Sequence, residues 1–195
     1  MNLERNAANY VPLTPISFLK RSAQVFGDKT AVIHGERQYS YREFMDRCVR
    51  LASALAGLGV GRGDTVAVLA PNVPAMLECH YGVPMLGAVL NTINIRLDAG
   101  TIGFILRHGE AKVFIVDREF SDLASSALAG LQVKPHLIEI ADSIATTSTS
   151  AGGIEYESML AGADPAFSCP GFNGSALRLG TIHRCHWLCD DKPPL

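Results

Sequence analysis

Gly61–Asn72 reads GRGDTVAVLAPN, and these twelve residues decide the fold. Gly61-Arg62-Gly63-Asp64 is turn chemistry leading into Thr65–Ala70. That run is apolar throughout after its first residue and β-branched at its start, the pattern of a strand buried on both faces. Pro71 ends it, and Asn72 is placed to cap a helix running from Val73 to about Leu86, with Pro84 marking a kink or the last turn. A fully buried strand followed directly by a helix is the unit of a parallel sheet with helices on its faces.

Upstream, Ser40 and Glu43 form a capping box. Tyr41, Phe44, Met45, Cys48, Leu51, Ala52 and Leu55 then make one apolar stripe at helical spacing. Arg42, Glu43, Asp46, Arg47 and Arg50 lie opposite and read as a solvated face. Before this helix, Thr30–Ile33 and Arg37–Ser40 flank His34-Gly35-Glu36 as a small hairpin. Ile16, Phe18, Leu19, Ala23 and Phe26 suggest a short amphipathic helix after Pro12 and Pro15. Downstream, Ala88–Thr92, Lys112–Val116 and His136–Ile140 are short apolar strands. The helices between them start at Asp98, a cap for a helix through His108, and at Ser121. The order β-α-β-α-β-α-β gives an α/β fold class with an open parallel sheet.

Composition narrows the function classes. An apolar fraction of 48% with 18% charged residues describes a globular chain. A formal net charge of -2 gives no basic field for nucleic acid and no polybasic membrane signal. No stretch approaches the roughly 18 apolar residues of a membrane span. The first ten residues lack an apolar signal region, so a cytoplasmic chain is expected. Ala145–Gly153 (ATTSTSAGG) reads as a flexible surface loop.

The regular alternation stops near Ser168. The last 28 residues hold three of the five cysteines, the only tryptophan and three of the ten prolines, with no sustained period. Residues 1–168 are therefore read as one partial domain, and 169–195 as an irregular tail, frame-shifted or disordered. Cys189–Pro194, written as TGC GAC GAC AAG CCG CCC and read one base later, gives Ala-Thr-Thr-Ser-Arg-Pro.

Several residues invite sharper readings. Gly57, Gly59, Gly61 and Gly63 follow a helix and precede a strand, the reverse of a dinucleotide loop, and read as turns. Cys169, His183, Cys185, His186 and Cys189 are soft ligands, but they lack the paired spacing and strand signals of a zinc site. His80 is read as a core or interface histidine, and His108 as a partner of its helix's negative end. Asp117 sits at a strand's carboxyl end, where α/β sites gather, and is read as a turn or cap residue.

The wording of several segments carries a resemblance. Tyr10–Phe18 (YVPLTPISF), Ser40–Phe44 (SYREF), Gly57–Thr65 (GLGVGRGDT), Val68–Asn72 (VLAPN) and Gly87–Leu97 (GAVLNTINIRL) occur in order, followed by Ile105–Glu110 (ILRHGE) and Ala111–Asp117. Together they resemble the N-terminal subdomain of the adenylate-forming acyl-CoA ligases, in the medium-chain and aromatic branch, over residues 10–168. The resemblance implies an incomplete parallel-sheet subdomain of that fold. In the intact family it implies carboxylic acid, ATP, Mg²⁺ and coenzyme A, with an acyl-adenylate intermediate and a compartment that extends to the peroxisome. It gives Arg96 a structural or pocket-edge role.

No segment here matches the family's Gly/Ser/Thr-rich phosphate loop. The expectation is therefore a chain inactive by itself, with no catalytic, cofactor-binding or metal residue of its own and no cofactor. Two alternatives are kept. One is a non-catalytic module that pairs with a full-length ligase through an exposed sheet edge. The other is a small zinc-dependent regulator using the tail.

Overall fold

The structure is a computed structural model and describes residues 14–142 and 150–170. Expectations for residues 145–149 and for His183, Cys185, His186 and Cys189 lie outside the described residues. The chain opens with α1 (Pro15–Val25), started by Thr14 and Ser17, each side chain bonded to the other's backbone. The hairpin strands β1 (Thr30–His34) and β2 (Arg37–Ser40) pair antiparallel. Ser40 then caps α2 (Tyr41–Gly57). Its hydroxyl accepts the Glu43 N–H at 3.2 Å, while the Glu43 carboxylate accepts the Ser40 N–H at 2.7 Å.

There follow β3 (Thr65–Leu69), α3 (Pro74–Met85), β4 (Val89–Thr92), α4 (Ala99–His108), β5 (Ala111–Asp117) and α5 (Ser121–Ala129). The described chain closes with β6 (His136–Ile140), β7 (Ile154–Glu155) and α6 (Tyr156–Ala161). Strands β3 to β7 form one sheet in the order β4-β3-β5-β6-β7, every neighbouring pair parallel.

Alternation along the strands divides the core in two. Val66, Val68, Val113, Ile115, Ile138 and Ile140 face α1, α2, α3 and α6. Ala67, Leu69, Phe114 and Val116 face α4 and α5. Two glycines set how closely the helices approach. A Cβ on Gly82 of α3 would lie 3.0 Å from the Cys48 carbonyl of α2, and one on Gly103 of α4 would lie 3.0 Å from the Ala127 carbonyl of α5. Backbone atoms cannot step aside at that distance, so each crossing needs glycine.

Three expectations are corrected. Asn72 is not the cap of α3: Val73 holds that position with no side-chain bond. Pro74 at the first helical position already supplies the fixed φ and needs no N–H partner. The solvated face of α2 is the second correction. Arg47 has only 17% of its side chain exposed and binds the fully buried Glu78, and Arg50 is half-buried against Asp46 and the Ala163 carbonyl. Third, β7 and α6 were not foreseen as elements.

Cys169, grouped with the tail by composition, is buried in the core that faces α1, α2, α3 and α6, near Cys48. Burial pushes its thiol up to about 11, and burial also raises those of Cys48 and Cys79. All three are protonated at neutral pH and behave as small apolar side chains.

Candidate functional site

In open α/β sheets ligands gather outside the carboxyl ends of the strands. Here that rim is built from the residues following β3 and β6, the last residue of β5 and the β1–β2 hairpin. A pocket of about 410 Å³ lies between β1 and the start of α3, with apolar walls from Val32, Ile33, Val73 and Met76 and polar groups from His34 and Asn72. A narrower recess beside it is lined by Ile140, Asp142, Arg37 and Glu157.

His34 ties the hairpin to the rim. Its Nε2 stands 3.1 and 3.0 Å from the two carboxylate oxygens of Asp142, with the side chains 20% and 10% exposed. Deeper in, Arg47 Nε donates to Glu78 Oε1 at 2.6 Å, and Tyr156 Oη donates to Glu78 Oε2 at 2.7 Å. The two terminal guanidinium nitrogens of Arg47 donate to Glu157 at 3.0 and 2.8 Å. Burial alone would pull the Arg47 guanidinium down, and its bonds to Glu157 and Glu78 more than reverse this. Burial, reinforced by the charge of Glu78, holds the Tyr156 hydroxyl far above its ordinary range. This network joins α2, α3 and α6 behind the rim.

Asp117 ends β5 with 1% of its surface exposed. Its Oδ1 accepts the Glu119 N–H at 3.0 Å, capping a short 3₁₀ turn, and its Oδ2 is buried without a partner among the described residues. The Ser121 hydroxyl and Arg118 Nε are in the same condition. Arg118 Nε lies 3.7 Å from Glu139, close enough for attraction and too far for a hydrogen bond. The buried Glu139 instead accepts from the Ser150 hydroxyl at 2.6 Å and from the Ala151 N–H.

Burial raises the Asp117 carboxyl above the ordinary range. The Glu119 N–H opposes this, and the charges of Asp142 and Glu119 add to it. Between its unfolded and folded values the folded chain binds the extra proton, so Asp117 costs stability as pH rises through that window. Asp117→Asn keeps the Oδ1 acceptor and removes the ionisation. It should raise the melting midpoint at pH 7, with the gain fading as pH falls below the ordinary carboxylate value. A gain that stayed constant across pH would show that ionisation is not its source.

Of the other candidates, His80 lines the pocket between β1 and α3 and the rest lie elsewhere. His80 is exposed, and its Nδ1 donates to the Met76 carbonyl at 2.8 Å. His108 stacks on Phe104 with ring centres 5.4 Å apart. Arg96 is exposed, its backbone N–H donating to the Asn94 side chain. Gly59 and Gly63 take φ of 79° and 83° in the turns around Val60, where side chains are disfavoured. Among the described residues no three His, Cys, Asp or Glu side chains gather to hold a metal ion. No helix is long and apolar enough to cross a membrane among them. The His34–Asp142 pair and the Glu78 network escaped sequence reading because their members stand 108, 31 and 78 positions apart.

A family model described as AMP-binding enzyme matches residues 19–168. A peroxisomal acetate/butyrate–CoA ligase of Arabidopsis thaliana is 47% identical over 178 residues, covering 85% of this chain and 31% of that protein. An acetate–CoA ligase of Humulus lupulus gives the same identity and coverage. The chain thus spans about 31% of the length of these relatives. Among solved structures, an anthranilate CoA ligase in complex with anthranoyl-AMP superposes with a TM-score of 0.74 at 24% identity, over 84% of this chain and 30% of that one. A Mycobacterium tuberculosis fatty acyl CoA synthetase superposes with a TM-score of 0.63 at 27% identity, over 76% of this chain and 28% of that one.

Proposed function

The chain belongs to the AMP-binding enzyme family, and on that premise we propose that it forms the N-terminal portion of an acyl-CoA ligase and is inactive by itself. The observation that carries this reading is the match across residues 19–168, which runs through every strand of the parallel sheet. The reaction proposed for the intact protein has two steps. A carboxylate oxygen attacks the α-phosphorus of ATP and pyrophosphate leaves. The thiol sulfur of coenzyme A then attacks the acyl carbon and AMP leaves. Acetate and butyrate, named for the plant relatives, are the acids to test first.

Within that scheme this chain supplies a rigid wall. The Arg47–Glu78–Tyr156 network locks α6 to α2 and α3. Magnesium belongs with the ATP of this reaction, but the described residues gather no carboxylate set fit to hold it, and no step through the ion is assigned to them. The division at 168/169 and a cytoplasmic setting, with the peroxisome as the alternative for the intact product, are parts of the same proposal.

The test is a chimera. Residues 19–168 would replace the matching segment of the acetate/butyrate–CoA ligase. It should form butyryl-CoA within about tenfold of the parent, a loss of roughly 1.4 kcal/mol in barrier. A folded chimera that made neither acyl-adenylate nor thioester would refute the proposal. A second reading, a non-catalytic module bound to a full-length ligase, is favoured by one observation: β4 is paired on one side only among the described residues.

A further inference from the structure

Asn72 and His80 are the two polar side chains singled out by sequence that the ligase reading leaves without a task. Asn72 does not cap α3, and its amide has no partner among the described residues. The Nδ1 of His80 bonds to a carbonyl, which can only accept, so Nδ1 carries the proton and Nε2 of the neutral ring is an acceptor without a partner among the described residues. Both side chains line the 410 Å³ pocket between β1 and α3.

The rest of that lining is apolar. Val32, Ile33, Val73, Met76 and Leu77 supply it, with Ile33 68% and Leu77 39% exposed. No lysine, arginine, aspartate or glutamate lines the pocket, and His34, its remaining polar group, is engaged by Asp142. The volume is within the range of small-ligand sites, about 300–1,000 Å³. A carboxylate or phosphate would find no counter-charge here and would lose its hydration without return. An uncharged molecule carrying an O–H would find an acceptor in His80 Nε2, an amide in Asn72 and hydrocarbon around its body.

We propose that this pocket is a binding site for a compact uncharged apolar molecule bearing one hydroxyl, of the phenol or short alkanol class. The proposal stands whether or not the ligase reading does. Its residues come wholly from this chain.

The experiment is a ¹H–¹⁵N NMR titration of the full chain with three probes that share a phenyl ring: phenol, toluene and benzoate. Phenol should give saturable shifts centred on residues 31–34 and 72–80. Toluene should bind the same residues about fivefold more weakly, the ordinary effect of one neutral hydrogen bond. Benzoate should be weaker than phenol by about tenfold or more, for want of a counter-charge. His80→Phe, at an exposed position, should erase the advantage of phenol over toluene and leave toluene unchanged. Leu77→Trp, also exposed, should fill the pocket and abolish both.

Absence of saturable shifts in the native chain would overturn the proposal. Benzoate binding as tightly as phenol would do the same, as would a phenol-to-toluene ratio untouched by His80→Phe. If His80→Phe does not fold, as judged by its spectrum away from the pocket, Leu77→Trp decides: continued phenol binding there would overturn it.

Discussion

Purified as these 195 residues and mixed with ATP, Mg²⁺ and acetate or butyrate, the chain should release pyrophosphate no faster than the background. The chemistry needs negative charge on the α-phosphate neutralised while a second anion approaches it, by preorganised N–H donors and a lysine. The sequence holds no segment of the phosphate-loop type, and neither pocket at the carboxyl rim is lined by a lysine. Of the arginines near the rim, Arg47 is held by Glu78 and Glu157, Arg37 lies 3.9 Å from Glu157 and Arg118 lies 3.7 Å from Glu139. Loss of a single oxyanion donor commonly costs about 10²–10³-fold in rate. The loss of a whole loop takes the reaction to its uncatalysed level. Pyrophosphate release well above a no-protein control, dependent on the acid, would sink this expectation and with it the claim of inactivity. Family membership would be unaffected.

The second large effect is on stability. Arg47→Met should destabilise the fold by about 3–5 kcal/mol, because it strands a carboxylate inside the protein. Glu78 is fully buried, and without Arg47 its one remaining donor would be the Tyr156 hydroxyl. Domains of this kind are stable by only about 5–15 kcal/mol, so the variant should sit near its unfolding midpoint under mild conditions. The double variant Arg47→Met/Glu78→Met removes both charges at similar volume and should recover most of the loss. It should remain short of the native chain by the about 1–3 kcal/mol of an orphaned Tyr156 hydroxyl. Urea denaturation of the three proteins distinguishes the outcomes. A single variant within about 1 kcal/mol of native, or a double variant worse than the single, would show that the network does not hold α6 in place.

Much of the sheet was legible in the sequence because its signals are local. Val66–Leu69 and Val113–Val116 are buried on both faces and written as unbroken apolar text, and His136–Ile140 is buried over its last three residues and interrupted by Glu139. The stripe and capping box of α2 are equally local. By contrast β7 is two residues long and exists only because Glu155 and Ile154 meet β6. No periodicity can announce a strand that short. Arg47 lies on the polar side of its helix by spacing, and only the arrival of Glu78 and Glu157 from distant positions makes that side an interior. Asn72 misled because a capping residue type stood one position before the cap, Val73, which Pro74 follows at the first helical position.

The site was less legible than the fold for the same reason. His34, Asn72, His80 and Asp142 are unremarkable one at a time. They matter at the rim because the hairpin and two crossovers bring them to one end of the sheet.

The Arg47–Glu157 pairing also has a consequence during synthesis. Its partners are 110 residues apart, so on a ribosome adding about 5–20 residues per second the arginine emerges about 5–20 s before the second carboxylate exists. Throughout that interval α2 and α3 can meet through Glu78, while the face that α6 will cover stays open to water or to a chaperone. The nascent chain therefore passes through a waiting stage whose length is set by translation speed, and slow codons between α3 and α6 would lengthen it.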